Sequence, residues 1–359
     1  MKAKFSYHVA AAFTAKGRRF DPATNLFQFN PYNRISPRKK ARHQRPDSGH
    51  DAFFVSRVGE SGAVAFGVAD GVGGWVESGV DPADFSHAFC DYMAAEAYQY
   101  GVNTETKGGE REALTARRLM DMGYMDVLKD KSIRAGGSTA CVGVASPDGT
   151  LDVANLGDSG YIVLRLNGMH SYSEPQTHGF NTPFQLSVIP AVMATRMATF
   201  GGRGFSDLPQ DSDVTHRNLQ HGDVVVFASD GVWDNLFNQD ILELVSGIMT
   251  TAGAWTMTDN GGIKTARDLV LLTSVPTDGG QDASKEQDGQ TSVATLQSAL
   301  ATAITARAKV ASMDQKNDGP FSKAVQKAYP GENWTGGKRD DICVVVAVVT
   351  EEQPPKAKL

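Results

Sequence analysis

Two strand-like runs in this chain end on an aspartate followed by glycine, in "GVADGVGGW" (Gly67–Trp75) and "VVVFASDGVWD" (Val224–Asp234). A charge at the end of a buried strand must face something that repays its burial. One Asp-Gly after a strand is usually only a turn; two of them constrain the fold. Asp51 opens the strand "DAFFVSRV" (Asp51–Val58), and the loop "GESG" joins that strand to "AVAFGVA" (Ala63–Ala69), a hairpin pattern. The start of the first arm and the finish of the second share one end of a sheet, so Asp51 and Asp70 meet. Late in the chain, Asp230 follows its strand, while Asp340 and Asp341 precede "ICVVVAVV" (Ile342–Val349). If those strands are antiparallel neighbours, Asp230 and Asp340 also meet. A two-sheet sandwich with both ends on one side gathers four or more carboxylates. Like charges at that density repel unless cations intervene. Carboxylate and carbonyl oxygens suit Mg²⁺ or Mn²⁺ rather than Zn²⁺, and the eight histidines show no ligand spacing. Gly71 lets its carbonyl approach such an ion without side-chain obstruction.

Other segments supply the scaffold. "TACVGVAS" (Thr139–Ser146) and "LDVANLG" (Leu151–Gly157) form a second hairpin, and "YIVLRL" (Tyr161–Leu166) continues through "NGM" as a meander. The late strands are β-branched and almost wholly apolar, which suits central strands covered on both faces. Near the start, Phe5, Tyr7 and Val9 alternate with Lys4, Ser6 and His8, a period of two that predicts a first strand rather than a secretory signal. Helices are expected over Pro82–Tyr100, with Asp81 as N-cap, and over Glu112–Lys131, Asp240–Met249 and Ser292–Met313. The expected inward stripe of the first carries Phe85, Phe89, Tyr92 and Met93; that of the second carries Leu114, Leu119, Met122, Met125 and Leu128. Asp259–Thr291 is polar apart from "DLVLLT" and reads as a flexible surface insertion near 274–291.

Charge and cysteine content bound the function classes. Net charge is −6, which gives no sign of a nucleic-acid partner. Residues 1–50 carry eleven Lys or Arg against Asp21 and Asp47, a solvated basic face or an anion-attracting rim at the domain edge. Cys90, Cys141 and Cys343 are too few and too far apart for a disulfide framework or zinc spacing. No apolar run approaches the ~20 residues of a membrane helix. "GDSG" (Gly157–Gly160) looks like the nucleophile segment of trypsin-like proteases, but no matching histidine segment accompanies it.

The ordered set "DAFFV", "GVADGVGGW", "GGSTACVGVA", "ANLGDSGYIVLR", "VVVFASDGVWDNL" and "KRDDICVVVAVV" resembles the PPM, or type 2C, metal-dependent Ser/Thr protein phosphatases, and spans Asp51–Val349. "DGVGGW" with "HGFNTPFQLS" (His178–Ser187) is most similar to the mitochondrial branch. The resemblance implies an α+β fold, an αββα sandwich of two antiparallel sheets flanked by helices. It implies a basic segment over 1–50, a phosphatase domain over 51–350 and a disordered tail over 351–359. It implies Mn²⁺- or Mg²⁺-dependent hydrolysis of phosphoserine and phosphothreonine in proteins by a metal-activated water, in mitochondria, with phosphorylated proteins as partners. Carried over by motif, Asp70 bridges two ions and Gly71 offers its carbonyl to one. Asp230 and Asp340 ligate the other ion, and Asp51 lies beside them. Asp158, with Asp230 and Asp234, matches a weaker third metal of some members. Arg45 is the upstream candidate for holding phosphate, with Arg42 behind it. Two departures are visible: His50 stands where many members have an acidic ligand, and Val72 where many have a histidine taken as general acid. They motivate an alternative from another class, a catalytically silent phosphatase fold that binds a phosphoprotein or adaptor.

Overall fold

The run Ile342–Val349 is apolar on every residue because both of its faces are covered. Val344, Val346 and Val348 join Ile342 under helices, while Cys343, Val345, Ala347 and Val349 point between two sheets. The computed structural model describes residues 4–101, 113–199, 206–274 and 294–352. In chain order the first strands are β1 (Phe5–Thr14), β2 (Leu26–Gln28), β3 (Asp51–Arg57) and β4 (Val64–Asp70), followed by helices α1 (Pro82–Gln99) and α2 (Ala116–Lys129). Next come β5 (Gly136–Ser138), β6 (Ala140–Ala145), β7 (Thr150–Leu156), β8 (Gly160–Arg165) and β9 (Gly168–Tyr172). A surface excursion holds β10 (Thr177–Gly179), β11 (Thr182–Pro183), β12 (Leu186–Val188) and α3 (Ala191–Thr199). The chain returns through β13 (Asp213–Asn218), β14 (Val224–Ala228), α4 (Asp230–Trp233) and α5 (Asn238–Thr251). It ends with β15 (Trp255–Met257), β16 (Ile263–Thr265), α6 (Val270–Thr273), α7 (Leu296–Met313), α8 (Pro320–Ala328) and β17 (Ile342–Glu351).

Two antiparallel sheets form the centre, β2-β1-β17-β14-β8-β9 and β13-β7-β6-β4-β3. Tyr7, Val9, Ala11 and Phe13 of β1 face the second sheet, as their alternation predicts. Phe227 meets Phe66 edge-on across the gap, with ring centroids 5.1 Å apart, and lies 5.7 Å from Tyr161. Helices α1 and α2 cover the outer face of the five-stranded sheet; α5 and α7 cover the other. The molecule is therefore the αββα sandwich that the sequence predicts. Both hairpins form in register, and Leu166 and Asn167 take positive φ in the β8–β9 turn that the "NGM" signal marks.

One expectation needs correction. In α2 the inward residues are Leu119, Met120, Gly123, Tyr124 and Val127, whereas Met125 and Leu128 are 45% and 47% exposed. Tyr124 replaces Met125 on the inner face because its hydroxyl, buried with the ring, finds the Ser187 carbonyl at 2.8 Å. Ahead of the expected insertion, β15 pairs with β16, and Leu269 enters the core beside α7. Of the insertion expected near 274–291, residues 275–291 lie outside the described residues, as does most of the tail, 353–359.

Phe227→Ala is expected to cost about 3–5 kcal/mol, because neighbours from both sheets cannot close the space left. Denaturant unfolding checks this; a loss below about 1 kcal/mol would contradict the packing described.

Candidate metal centre

The β3–β4 hairpin sets Asp51 directly opposite Asp70, and β14 pairs with β17 up to Ala228↔Val344, which leaves Asp230 and Asp340 at the same end. The two sheet ends stack, and a cavity of about 610 Å³ opens there. Asp70, Gly71, Asp158, Asp230, Asp340 and Asp341 line it, together with His50, Lys16 and Lys338. The convergence read from the sequence is present.

Each carboxylate is held by local geometry. The Asp70 carbonyl accepts from Thr139 N (2.9 Å) and Ser138 Oγ (2.8 Å), and its N–H donates to Thr139 Oγ1 (3.2 Å). Asp51 is buried behind the cavity wall, where Ser229 Oγ donates to its Oδ2 (2.5 Å) while accepting from Cys343 N (3.0 Å). Ser229 thus ties the first hairpin to the ends of β14 and β17. Gly71 is required for a reason beyond carbonyl access: a Cβ there would lie 2.8 Å from the Pro82 carbonyl and 2.9 Å from that of His50. Gly231 is tighter still, with the Asp341 carbonyl 1.9 Å from where a Cβ would be.

Neighbouring Asp340 and Asp341 have different tasks. Asp341 accepts from the N–H groups of Lys16 (2.6 Å) and His50 (2.8 Å), so it fastens the loops after β1 and before β3. Asp340 faces the cluster, where its Oδ2 lies 3.1 Å from Lys338 Nζ. The same ammonium touches Asp230 Oδ2 (2.7 Å) and Asp234 Oδ2 (2.6 Å).

Electrostatics records the crowding. Burial pushes the Asp70 carboxyl well above its usual range, and Asp230, Asp51, Asp158 and Asp340 add to the shift. Burial does the same to Asp51, with Asp341 next, although the Ser229 bond opposes it. Asp158 is pushed up to about 7, first by burial and then by Asp230, and its Oδ1 is buried without a hydrogen-bond partner. Burial pushes Asp230 up, but Lys338 together with hydrogen bonds to Asp70 and Asp234 holds it below its usual range.

This donor set fits divalent cations. It is made only of oxygen, and the buried Lys338 ammonium sits against Asp230, Asp234 and Asp340. Among the described residues, no three His, Cys, Asp or Glu side chains form a closed ligand set. Carboxylates spaced around a wet cavity match an ion that keeps several of its waters, the habit of Mg²⁺.

Two sequence expectations fare differently. Arg45 is not among the residues lining the cavity. Its guanidinium lies 2.9 Å from Asp84 Oδ1 and is only 11% exposed, and Arg42 donates to the same carboxylate. An acidic residue on the first turn of α1 captures both arginines, a tertiary pairing that the sequence around Arg45 does not announce. Lys16 and Lys338 instead supply the basic side chains, Lys16 with its Nζ 3.7 Å from Asp340. Lys16 belongs to no motif, although Lys338 opens "KRDDICVVVAVV" and stands two residues before Asp340. Cys90, Cys141 and Cys343 are all buried, and burial pushes their thiols well up, so no thiolate nucleophile serves this cavity. Ser159 of "GDSG" is buried and bonded to Thr139 Oγ1 (2.7 Å), which removes the protease-like reading.

The chain is similar to protein phosphatase 2C homolog 7, mitochondrial, of Saccharomyces cerevisiae, at 30% identity over 345 residues, 96% of this chain and 83% of that protein. It is 32% identical over 312 residues to the protein phosphatase PTC7 homolog fig of Drosophila willistoni, covering 85% and 78%. With the PTC7 homolog of Danio rerio it shares 30% over 307 residues, covering 84% and 82%. Among solved structures it is similar to the photosystem II phosphatase PBCP, with a TM-score of 0.56 and 25% identity, covering 84% of this chain and 91% of that one. No protein-family model matches the chain.

Removing one of the crowded charges relieves the fold. Asp70→Asn is expected to stabilise the chelated protein by roughly 1–3 kcal/mol, and to lose most of the stabilisation that Mn²⁺ or Mg²⁺ gives the wild type. Thermal unfolding with EDTA and with excess cation checks both; a less stable chelated variant would contradict the repulsion.

Proposed function

The chain belongs to the protein phosphatase 2C family, in its PTC7 branch, and is a protein phosphatase acting on phosphoserine and phosphothreonine; we propose that the acidic cavity is where it does so. The observation that carries this is the meeting of Asp70, Asp158, Asp230 and Asp340 in one cavity, with Asp51 behind Asp70.

In this reading Asp70, the Gly71 carbonyl, Asp230 and Asp340 would hold two divalent cations, Mn²⁺ or Mg²⁺, with Asp51 supporting them from behind Asp70. Bound cations supply charge neutralisation on the phosphoryl group and a water acidic enough to be ionised near neutral pH. The protein's own groups do the remaining work. Thr139, Ser138 and Ser229 fix where the carboxylates stand, so little reorganisation is needed as charge moves. Lys16, 58% exposed at the mouth, offers the cation that an incoming phosphate meets first. Val72 brings no proton donor, and the buried thiols keep a covalent phosphocysteine route closed. No helix among the described residues is long and apolar enough to cross a membrane. The name of the yeast relative supports mitochondrial phosphoproteins as the substrates.

Asp230→Asn is expected to lower Mn²⁺-dependent phosphate release from phosphoserine and phosphothreonine peptides at least about a hundredfold, the scale for loss of a group that positions transition-state charge. Malachite-green assay of both proteins across Mn²⁺ concentrations checks this. Equal activity in the variant would remove the cavity from the chemistry.

A further inference from the structure

Lys338 has no part in that reading, yet it is the most tightly held charge in the cavity. Its ammonium donates to Asp230 and Asp234 at 2.7 and 2.6 Å and forms an ion pair with Asp340 at 3.1 Å. In all three partners the atom engaged is Oδ2. The residue is anchored at both ends. Its N–H donates to Asn235 Oδ1 and its carbonyl accepts from Asn235 Nδ2, both at 2.9 Å, while the ammonium lies 4.9 Å from the centre of the Phe321 ring. Asn235 directly follows Asp234, so the backbone clasp delivers Lys338 to the carboxylate beside it. The side chain is only 15% exposed.

We propose that Lys338 is a built-in cation that fills the Asp158–Asp230–Asp234 corner, so that this chain takes one divalent ion fewer than its carboxylates could hold. The inference rests on the metal reading of the cavity. A divalent ion in that corner needs carboxylate oxygens at about 2.1 Å, and the Oδ2 atoms of Asp230 and Asp234 already hold the ammonium. Entry of the ion requires breaking two charge-assisted hydrogen bonds and an ion pair, and leaving a lysine beside a dication. Asp158 is the corner's remaining carboxylate. Its buried, unpartnered Oδ1 is the oxygen that a cation would claim if Lys338 were gone. The third ion that the family resemblance attaches to Asp158 is thus replaced by a side chain.

Counting bound metal tests this directly. Wild type, K338M, K338R and the double variant K338M/D234N are saturated with Mn²⁺ by equilibrium dialysis and measured by mass spectrometry, with circular dichroism verifying the fold. The wild type and K338R are expected to hold two ions per chain, K338M three, and the double variant two. If K338M does not fold in chelator, K338Q refolded in Mn²⁺ provides the same count. Equal counts in the wild type and the neutral variant, or three ions in the wild type, overturn the inference and leave the metal reading standing. No Mn²⁺ in the wild type overturns both.

Discussion

Buried carboxylates that repel one another are the constraint on which this molecule turns. Burial, and then the charges of their neighbours, raise the proton affinity of Asp51, Asp70, Asp158 and Asp340, while the Lys338 ammonium holds Asp230 low. Such a cluster is destabilising by itself. It persists because two hydrogen-bonded strand pairs, β3–β4 and β14–β17, fix their ends together. Three separate cores, one between the sheets and one beneath each helical layer, hold those strands in place. Stability is contributed by the sandwich and given up at its end, where function needs charge.

Much of this was legible in the sequence, for identifiable reasons. A hairpin fixes which residues stand opposite, so Asp51↔Asp70 followed from a short glycine-flanked loop alone. The apolar runs Val224–Ala228 and Ile342–Val349 announced central strands, because only a strand covered on both faces has no polar alternation. The fate of two adjacent aspartates was legible only in part. Successive residues entering a strand point opposite ways, so Asp340 and Asp341 could not both face Lys338. Which one turned to the other wall was decided by the loops near Lys16 and His50, far away in sequence.

What could not be read was set by contacts between distant charges. Arg45 precedes the first motif closely enough to suggest a role with phosphate, but Asp84 on α1 claims it. No pattern around residue 45 encodes that choice. Lys338 is the converse case. Its place beside the acidic motif does not distinguish it from a surface lysine, and the clasp with Asn235 turns it inward. In α2, helical spacing alone admits two adjacent stripes, and the hydroxyl of Tyr124 selects the one that faces the sheet.

The most direct test of the central claim is an anomalous difference map at the manganese edge from crystals grown with Mn²⁺. The account predicts strong peaks inside the cavity within coordination distance of Asp70, Asp230 and Asp340. Peaks confined to the surface, with none among those carboxylates, would contradict it.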